Sequence, residues 1–155
     1  IKYTDLNVII TYPNSDVKFN EIIKLYKKNF KNSHKLLITH SLGEKKYFNL
    51  MKYAKFILGN SSSGIVEAAS FKLPAINLGD RQKGKYFPIN VINSGYDYQD
   101  ILRAIKKVNT KSFQKRIKKM KNPYFSKLSY KKIAENILKL KIDQKLIKKK
   151  FKYNF

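Results

Sequence analysis

At 155 residues the chain is long enough to bury one hydrophobic core and too short for two domains. It has no cysteine, which excludes a disulfide framework and a thiolate zinc site and fits a reducing, cytoplasmic interior, and no apolar run approaches the 18 residues of a membrane span. The net charge of +24 raises nucleic acid as a partner, but the excess is almost wholly lysine, with arginine only at Arg81, Arg103 and Arg116. Arginine is the residue a nucleic-acid surface would recruit for bidentate contacts. The chain is also heavy in Asn, Ile, Tyr and Phe, which with Lys are the residues of A/T-rich codons. The charge therefore reads as compositional bias on solvated faces, and no specific nucleic-acid partner is expected.

The opening residues, IKYTDLNVII, carry neither an initiator Met nor a signal-peptide core and cleavage site, so the sequence reads as one that starts partway through a longer protein. LNVIITY (6–12) is a continuous β-rich run of the buried-strand type, closed by Pro13-Asn14-Ser15-Asp16. Ser15 or Asp16 can cap a helix in which Val17, Ile22, Leu25, Tyr26 and Phe30 form the apolar stripe. KLLITH (35–40) is a second strand, and a helix over about 44–53 places Tyr47, Leu50, Met51 and Ala54 on one face. KFILG (55–59) is a third strand. A helical pattern over 64–71 leads to LPAINL (73–78), a fourth strand, and PINVI (88–92) is a fifth candidate. Asp97 caps a helix to about Val108, with Ile101, Leu102 and Ile105 inward. A lysine-rich stretch, a break at Asn122-Pro123 and a helix over about 127–140 complete a domain of residues 1–142. Residues 143–155 read as a basic helix end or tail.

Strands alternating with helices of 8–14 residues predict βαβ units: an α/β, Rossmann-like parallel sheet with helices on both faces. Ligands of such sheets bind beyond the carboxyl ends of the strands. Two loops on that edge stand out, 13–16 after the first strand and 60–63 after the third.

The second lies in GNSSSGIVE (59–67). A helix N-terminus leaves about four backbone N–H groups without partners and carries partial positive charge. A Gly- and Ser-rich approach lets an anion reach them, with Ser61, Ser62 and Ser63 adding hydroxyl donors and Gly59 and Gly64 opening access. A carboxylate repels phosphate, so Glu67 fits a neutral hydroxyl pair such as that of a ribose. Serines for phosphate and a glutamate for ribose describe a nucleotide site. Taken alone, the same residues also fit an ordinary capped helix following a glycine-ended strand. The stretch is neither a P-loop nor a dinucleotide fingerprint. LPAINLGDRQKGK then brings a strand to the same edge and follows it with Gly79, Arg81, Gln82, Lys83, Gly84 and Lys85; Arg81 suits either an anion or a surface ion pair.

GNSSSGIVEAASFKLPAINLGDRQKGK, preceded by SLGEKKYFNLMKYAKFIL and further upstream by TYPNSD, resembles the C-terminal domain of UDP-N-acetylglucosamine 2-epimerases, and most the hydrolysing branch that supplies N-acetylmannosamine-type sugars for sialic and legionaminic acid synthesis. The resemblance covers roughly residues 6–108 and is densest over 41–85. It implies the C-terminal half of a glycosyltransferase-B-like enzyme acting on UDP-N-acetylglucosamine, with no cofactor and no metal. Position by position, it implies that Ser61, Ser62, Ser63, Gly64 and Arg81 bind the diphosphate and that Glu67 binds the ribose. Leu42 falls in the loop that reads uracil, and Pro13 and Asn14 in the loop below the nucleotide. Lys85 stands where the family usually has Arg, keeping the charge but losing the planar fork. The family's reaction, elimination of UDP followed by addition of water at C2, needs carboxylates and a histidine. These belong to an N-terminal domain and a segment just upstream, and neither His34 nor His40 matches that histidine. No catalytic residue is therefore expected here: the chain should bind UDP without turnover, need its N-terminal domain or a partner chain, and in the full enzyme form a homo-oligomer. A glycosyltransferase of the same architecture and a basic module for nucleic acid or anionic membrane are the alternatives.

Overall fold

In the computed structural model, which describes residues 6–13, 18–29 and 34–142, strands and helices alternate as β1 (Val8–Thr11), α1 (Phe19–Asn29), β2 (Leu36–Thr39), α2 (Gly43–Tyr53), β3 (Ile57–Gly59), a 3-10 turn (Ser62–Gly64), α3 (Glu67–Ser70), β4 (Ala75–Leu78), β5 (Val91–Ser94), α4 (Tyr98–Val108), α5 (Lys111–Lys118) and α6 (Ser129–Lys139). The expected cap at Ser15 or Asp16, Asn14, Val17, Phe30 and the tail 143–155 lie outside the described residues.

Every strand pairing is parallel. β1 and β2 form one sheet, with Val8 opposite Leu36, and β3–β4–β5 form a second, with Ile57 opposite Ala75 and Ala75 opposite Val91. Parallel neighbours require a crossover: α1 supplies it between β1 and β2, the 3-10 turn and α3 between β3 and β4, and the turn-rich segment 79–90, without a helix, between β4 and β5. The fold is thus α/β and Rossmann-like. Among the described residues, no helix is long and apolar enough to cross a membrane.

The core lies around the three-stranded sheet. Ala69, Ile76, Ala104, Val108, Phe113, Ile117 and Met120 form one buried cluster, and Met51, Ala68 and Leu73 a second between α2, α3 and β3. α3 therefore presents Ala69 to one cluster and Ala68 to the other, which requires alanine-sized residues at both positions. In α4 the deepest residues are Ala104 and Val108, with Ile101, Leu102 and Ile105 half-buried behind them.

Four expectations need correction. The helix expected over 64–71 is a 3-10 turn followed by a single α-turn. The turn ends in a Schellman arrangement: Leu73 N–H donates to the Ala68 carbonyl and Lys72 N–H to that of Ala69, with Lys72 at φ 53 and Pro74 forbidding continuation. β5 begins at Val91 rather than 88, because Pro88 closes a turn by accepting from Val91 N–H. The lysine-rich stretch is a helix, α5. Its N-cap Thr110 accepts from Phe113 N–H at 3.3 Å, and Phe113 and Ile117, one turn apart, are both buried. Leu25, assigned to the inward stripe of α1, is exposed. α6 forms where expected, but none of its residues is buried.

Candidate functional site at the carboxyl edge of the sheet

β3 ends at Gly59 and its parallel neighbour β4 at Leu78, so the loops that follow leave the same edge. Gln82 joins them directly. Its Nε2 donates to the Asn60 carbonyl at 2.8 Å, and the side chain is 6% exposed. The Gly79–Lys85 loop is further shaped by turns from Lys83 N–H to the Asp80 carbonyl and from Lys85 N–H to the Gln82 carbonyl. Gly79 has φ +65, which favours glycine, and a Cβ there would also displace the exposed Tyr96 ring. Beneath this loop, Asn77 Nδ2 donates to the Gly79 carbonyl at 3.2 Å and to Asn93 Oδ1 at 2.9 Å. Arg81 and Lys85 are exposed on the loop surface.

The serine loop has its own internal order. Ser61 caps the 3-10 turn by accepting from Ser63 N–H at 3.3 Å. The Ser63 and Tyr47 hydroxyls share a hydrogen bond at 2.9 Å, which fastens α2 to the loop. Ser61 and Ser62 are exposed, whereas Ser63 and Gly64 are half-buried. A Cβ at Gly64 would face Ile57 and Ala75 at ordinary contact distances, so this glycine borders the sheet rather than the approach to the loop.

Glu67 opens α3 and is half-buried, with its Oε2 fully buried and without a hydrogen-bond partner among the described residues. An unsatisfied carboxylate oxygen is unfavourable, and with no exposed surface this atom meets a ligand hydroxyl only if the side chain turns outward. Gln82 Oε1 and Asn77 Oδ1 are buried in the same state.

Leu42 is half-buried at the N-terminus of α2, just past the end of β2, where Ser41 Oγ accepts from Gly43 N–H. Pro13 follows Tyr12, whose N–H donates to the Thr39 carbonyl and whose ring lies 5.5 Å from that of His40. The structure therefore brings Ser61, Ser62, Ser63, Gly64, Glu67, Arg81 and Lys85 to one edge and links Leu42 to them through α2 and Tyr47. Pro13 stands at the end of the separate β1–β2 pair, and Asn14 lies outside the described residues. His34 and His40 are exposed, and no group of three or more His, Cys, Asp or Glu able to hold a metal occurs among the described residues.

Sequence reasoning assigned no role to Gln82, Asn77 or Tyr47. Gln82 and Asn77 sit inside the quoted PAINLGDRQKG string, and their burial against loop carbonyls is a tertiary fact that no local pattern announces.

Residues 1–138 match the sequence profile of the family described as UDP-N-acetylglucosamine 2-epimerase. The chain belongs to that family. Among characterised relatives, the GDP/UDP-N,N'-diacetylbacillosamine 2-epimerase (hydrolyzing) of Campylobacter jejuni is 44% identical over 111 residues, 70% of this chain and 28% of that protein. Polysialic acid biosynthesis protein P7 of Escherichia coli is 34% identical over 106 residues, 68% of this chain and 27% of its own length. The UDP-N-acetylglucosamine 2-epimerase of Neisseria meningitidis serogroup B is 34% identical over 99 residues, 64% of this chain and 26% of its own length. The matched stretch thus spans little more than a quarter of each relative, and this epimerase-family chain corresponds to part of those enzymes.

Proposed function

We propose that the chain is the UDP-binding, C-terminal half of a hydrolysing UDP-N-acetylglucosamine 2-epimerase with a glycosyltransferase-B-like architecture. The observation that carries this reading is the family match over residues 1–138, whose motif residues converge on one carboxyl edge. In it, the hydroxyls of the exposed Ser61 and Ser62 receive the diphosphate, while the N–H groups of Ser63, Gly64, Ile65 and Val66 are held by Ser61 and Ser62 within the turn. Ser63 acts from its hydrogen bond with Tyr47, and Gly64 shapes the turn through its N–H to the Ser61 carbonyl at 3.2 Å. Arg81 answers the diphosphate charge from the neighbouring loop, and Lys85 adds an undirected positive charge. Glu67, half-buried at the start of α3, turns its carboxylate outward to accept from the ribose hydroxyls. The loop at Leu42 borders the uracil, and Pro13 and Asn14 lie below the nucleotide.

Elimination of UDP and readdition of water at C2 require an acid, a base and a means of exchanging their roles. Among the described residues no histidine stands with carboxylates on the nucleotide edge, His34 and His40 lying exposed on either side of β2 in the β1–β2 region, and in this reading the acids belong to a part of the enzyme that this stretch does not match. The chain alone therefore holds UDP-N-acetylglucosamine without converting it, and the complete enzyme, a homo-oligomer, releases the epimerised sugar. The Campylobacter relative, a hydrolyzing 2-epimerase, supports the hydrolysing outcome. Equilibrium dialysis against labelled UDP-N-acetylglucosamine tests this: the ligand is expected to be retained and recovered intact. Absence of retention would overturn the site, and recovery of UDP would overturn the inactivity.

A further inference from the structure

The connector between α5 and α6 makes contacts out of proportion to its length. Asn122 Nδ2 donates to the Val66 carbonyl at 2.9 Å and to Ser70 Oγ at 2.7 Å, and its Oδ1 accepts from Tyr124 N–H at 2.9 Å. Both amide hydrogens and the carbonyl of this side chain are engaged, across 56 and 52 positions of sequence. Val66 immediately precedes Glu67, and Ser70 ends α3, so Asn122 straps the whole α-turn that carries the glutamate. Two residues later, Tyr124 Oη donates to the Tyr86 carbonyl at 2.6 Å. Tyr86 directly follows Lys85, the end of the loop that carries Arg81. Pro123 between them fixes the backbone that spaces the two grips.

We propose that Asn122 and Tyr124 are positioning residues for the nucleotide site, Asn122 holding the ribose side through α3 and Tyr124 the phosphate side through the Arg81 loop. The inference rests on the site reading above. Asn77 holds the start of the Arg81 loop at the Gly79 carbonyl, Gln82 fastens its middle to Asn60, and Tyr124 fastens its end. A loop held at both ends presents a long, exposed arginine from a defined base, which lowers the ordering cost of binding. α3 is a single turn and has little stability of its own. An external strap on both of its ends therefore sets where Glu67 stands.

Tyr124 is 40% exposed, so Tyr124→Phe removes one hydroxyl without disturbing the core. Asn122→Asp keeps the acceptor for Tyr124 N–H while removing both donors to α3. UDP and uridine binding by NMR titration, together with amide exchange over 66–70 and 80–86 in the unliganded chain, distinguishes the two roles. Tyr124→Phe is expected to weaken UDP about fivefold, the equivalent of one hydrogen bond, to leave uridine within about twofold, and to speed exchange over 80–86 only. Asn122→Asp is expected to weaken both ligands alike and to speed exchange over 66–70. Equal loss for both ligands in Tyr124→Phe would overturn its phosphate-side role. Unchanged exchange and affinity in both variants would overturn the positioning role while leaving the site reading intact. Faster exchange in the two segments, with no UDP binding by the parent chain, would uphold the clamp and overturn the site reading.

Discussion

Glu67 and Arg81 stand on adjacent loops, and in the proposed site they answer different parts of a nucleotide, a difference that can be measured. Glu67→Ala removes a carboxylate whose Oε2 is buried without a partner. The substitution is expected to weaken UDP by about 1.5–3 kcal/mol, the usual worth of hydrogen bonds to a charged group, with the melting transition preserved. Unchanged affinity in calorimetric titration would remove the ribose assignment. Arg81→Ala is expected to cost more for UDP than for uridine, because its charge faces phosphate; equal losses would count against it. The two loops that carry them stood out in the sequence because a Gly- and Ser-rich stretch after one strand is followed by a glycine-flanked arginine after the next. The roles of Gln82, Asn77, Asn122 and Tyr124 were not legible there. Their side chains serve carbonyls and hydroxyls of distant segments, and a single glutamine or asparagine reads as a surface residue until its partner is known. Gly64 was legible as small, but its reason is the proximity of Ile57 and Ala75, which only packing reveals.

The elements divide according to how local their causes are. The strands were readable because VIIT, LLIT and AINL are apolar runs bounded by turn residues. α2 was readable for a similar reason, since Met51 buries and Tyr47, Leu50 and Ala54 flank it. α5 was hidden by composition: six of its eight residues are polar or charged, all but Phe113 and Ile117, and the lysines drew attention from an i, i+4 apolar pair with a threonine cap. That helix closes the larger core cluster through Phe113 and Ile117. Thr110→Ala is expected to lower stability by about 1 kcal/mol through the lost cap, and Phe113→Ala by about 3–5 kcal/mol through the cavity it leaves. Urea denaturation checks both; equal and negligible effects would mean that α5 does not hold the core. α3 was overextended in the sequence reading because its alanines favour helix, whereas Lys72 in the left-handed region and Pro74 end it after one turn.

At the scale of the molecule, burial is uneven. The β3–β4–β5 sheet with α2, α3, α4 and α5 contains the two core clusters, while α1 and α6 contribute no buried residue. On α6, Ile133, Ile137 and Leu138 are 57, 60 and 85% exposed. The matched stretch spans little more than a quarter of its relatives, so the chain corresponds to part of such an enzyme, and the proposal puts the acid–base groups in the remainder. The +24 charge adds a second, undiscriminating attraction for anions. The two differ in their response to salt, because counterion release makes polyanion binding fall steeply with ionic strength, whereas a built site selects its base.

Isothermal titration of the chain with UDP, ADP and a short oligonucleotide, at low salt and at about 0.3 M salt where the screening length is well under 10 Å, puts that difference to use. The account predicts UDP binding that survives the added salt and excludes ADP. Binding of the oligonucleotide alone, abolished by salt, would contradict it and leave family membership without a working nucleotide site.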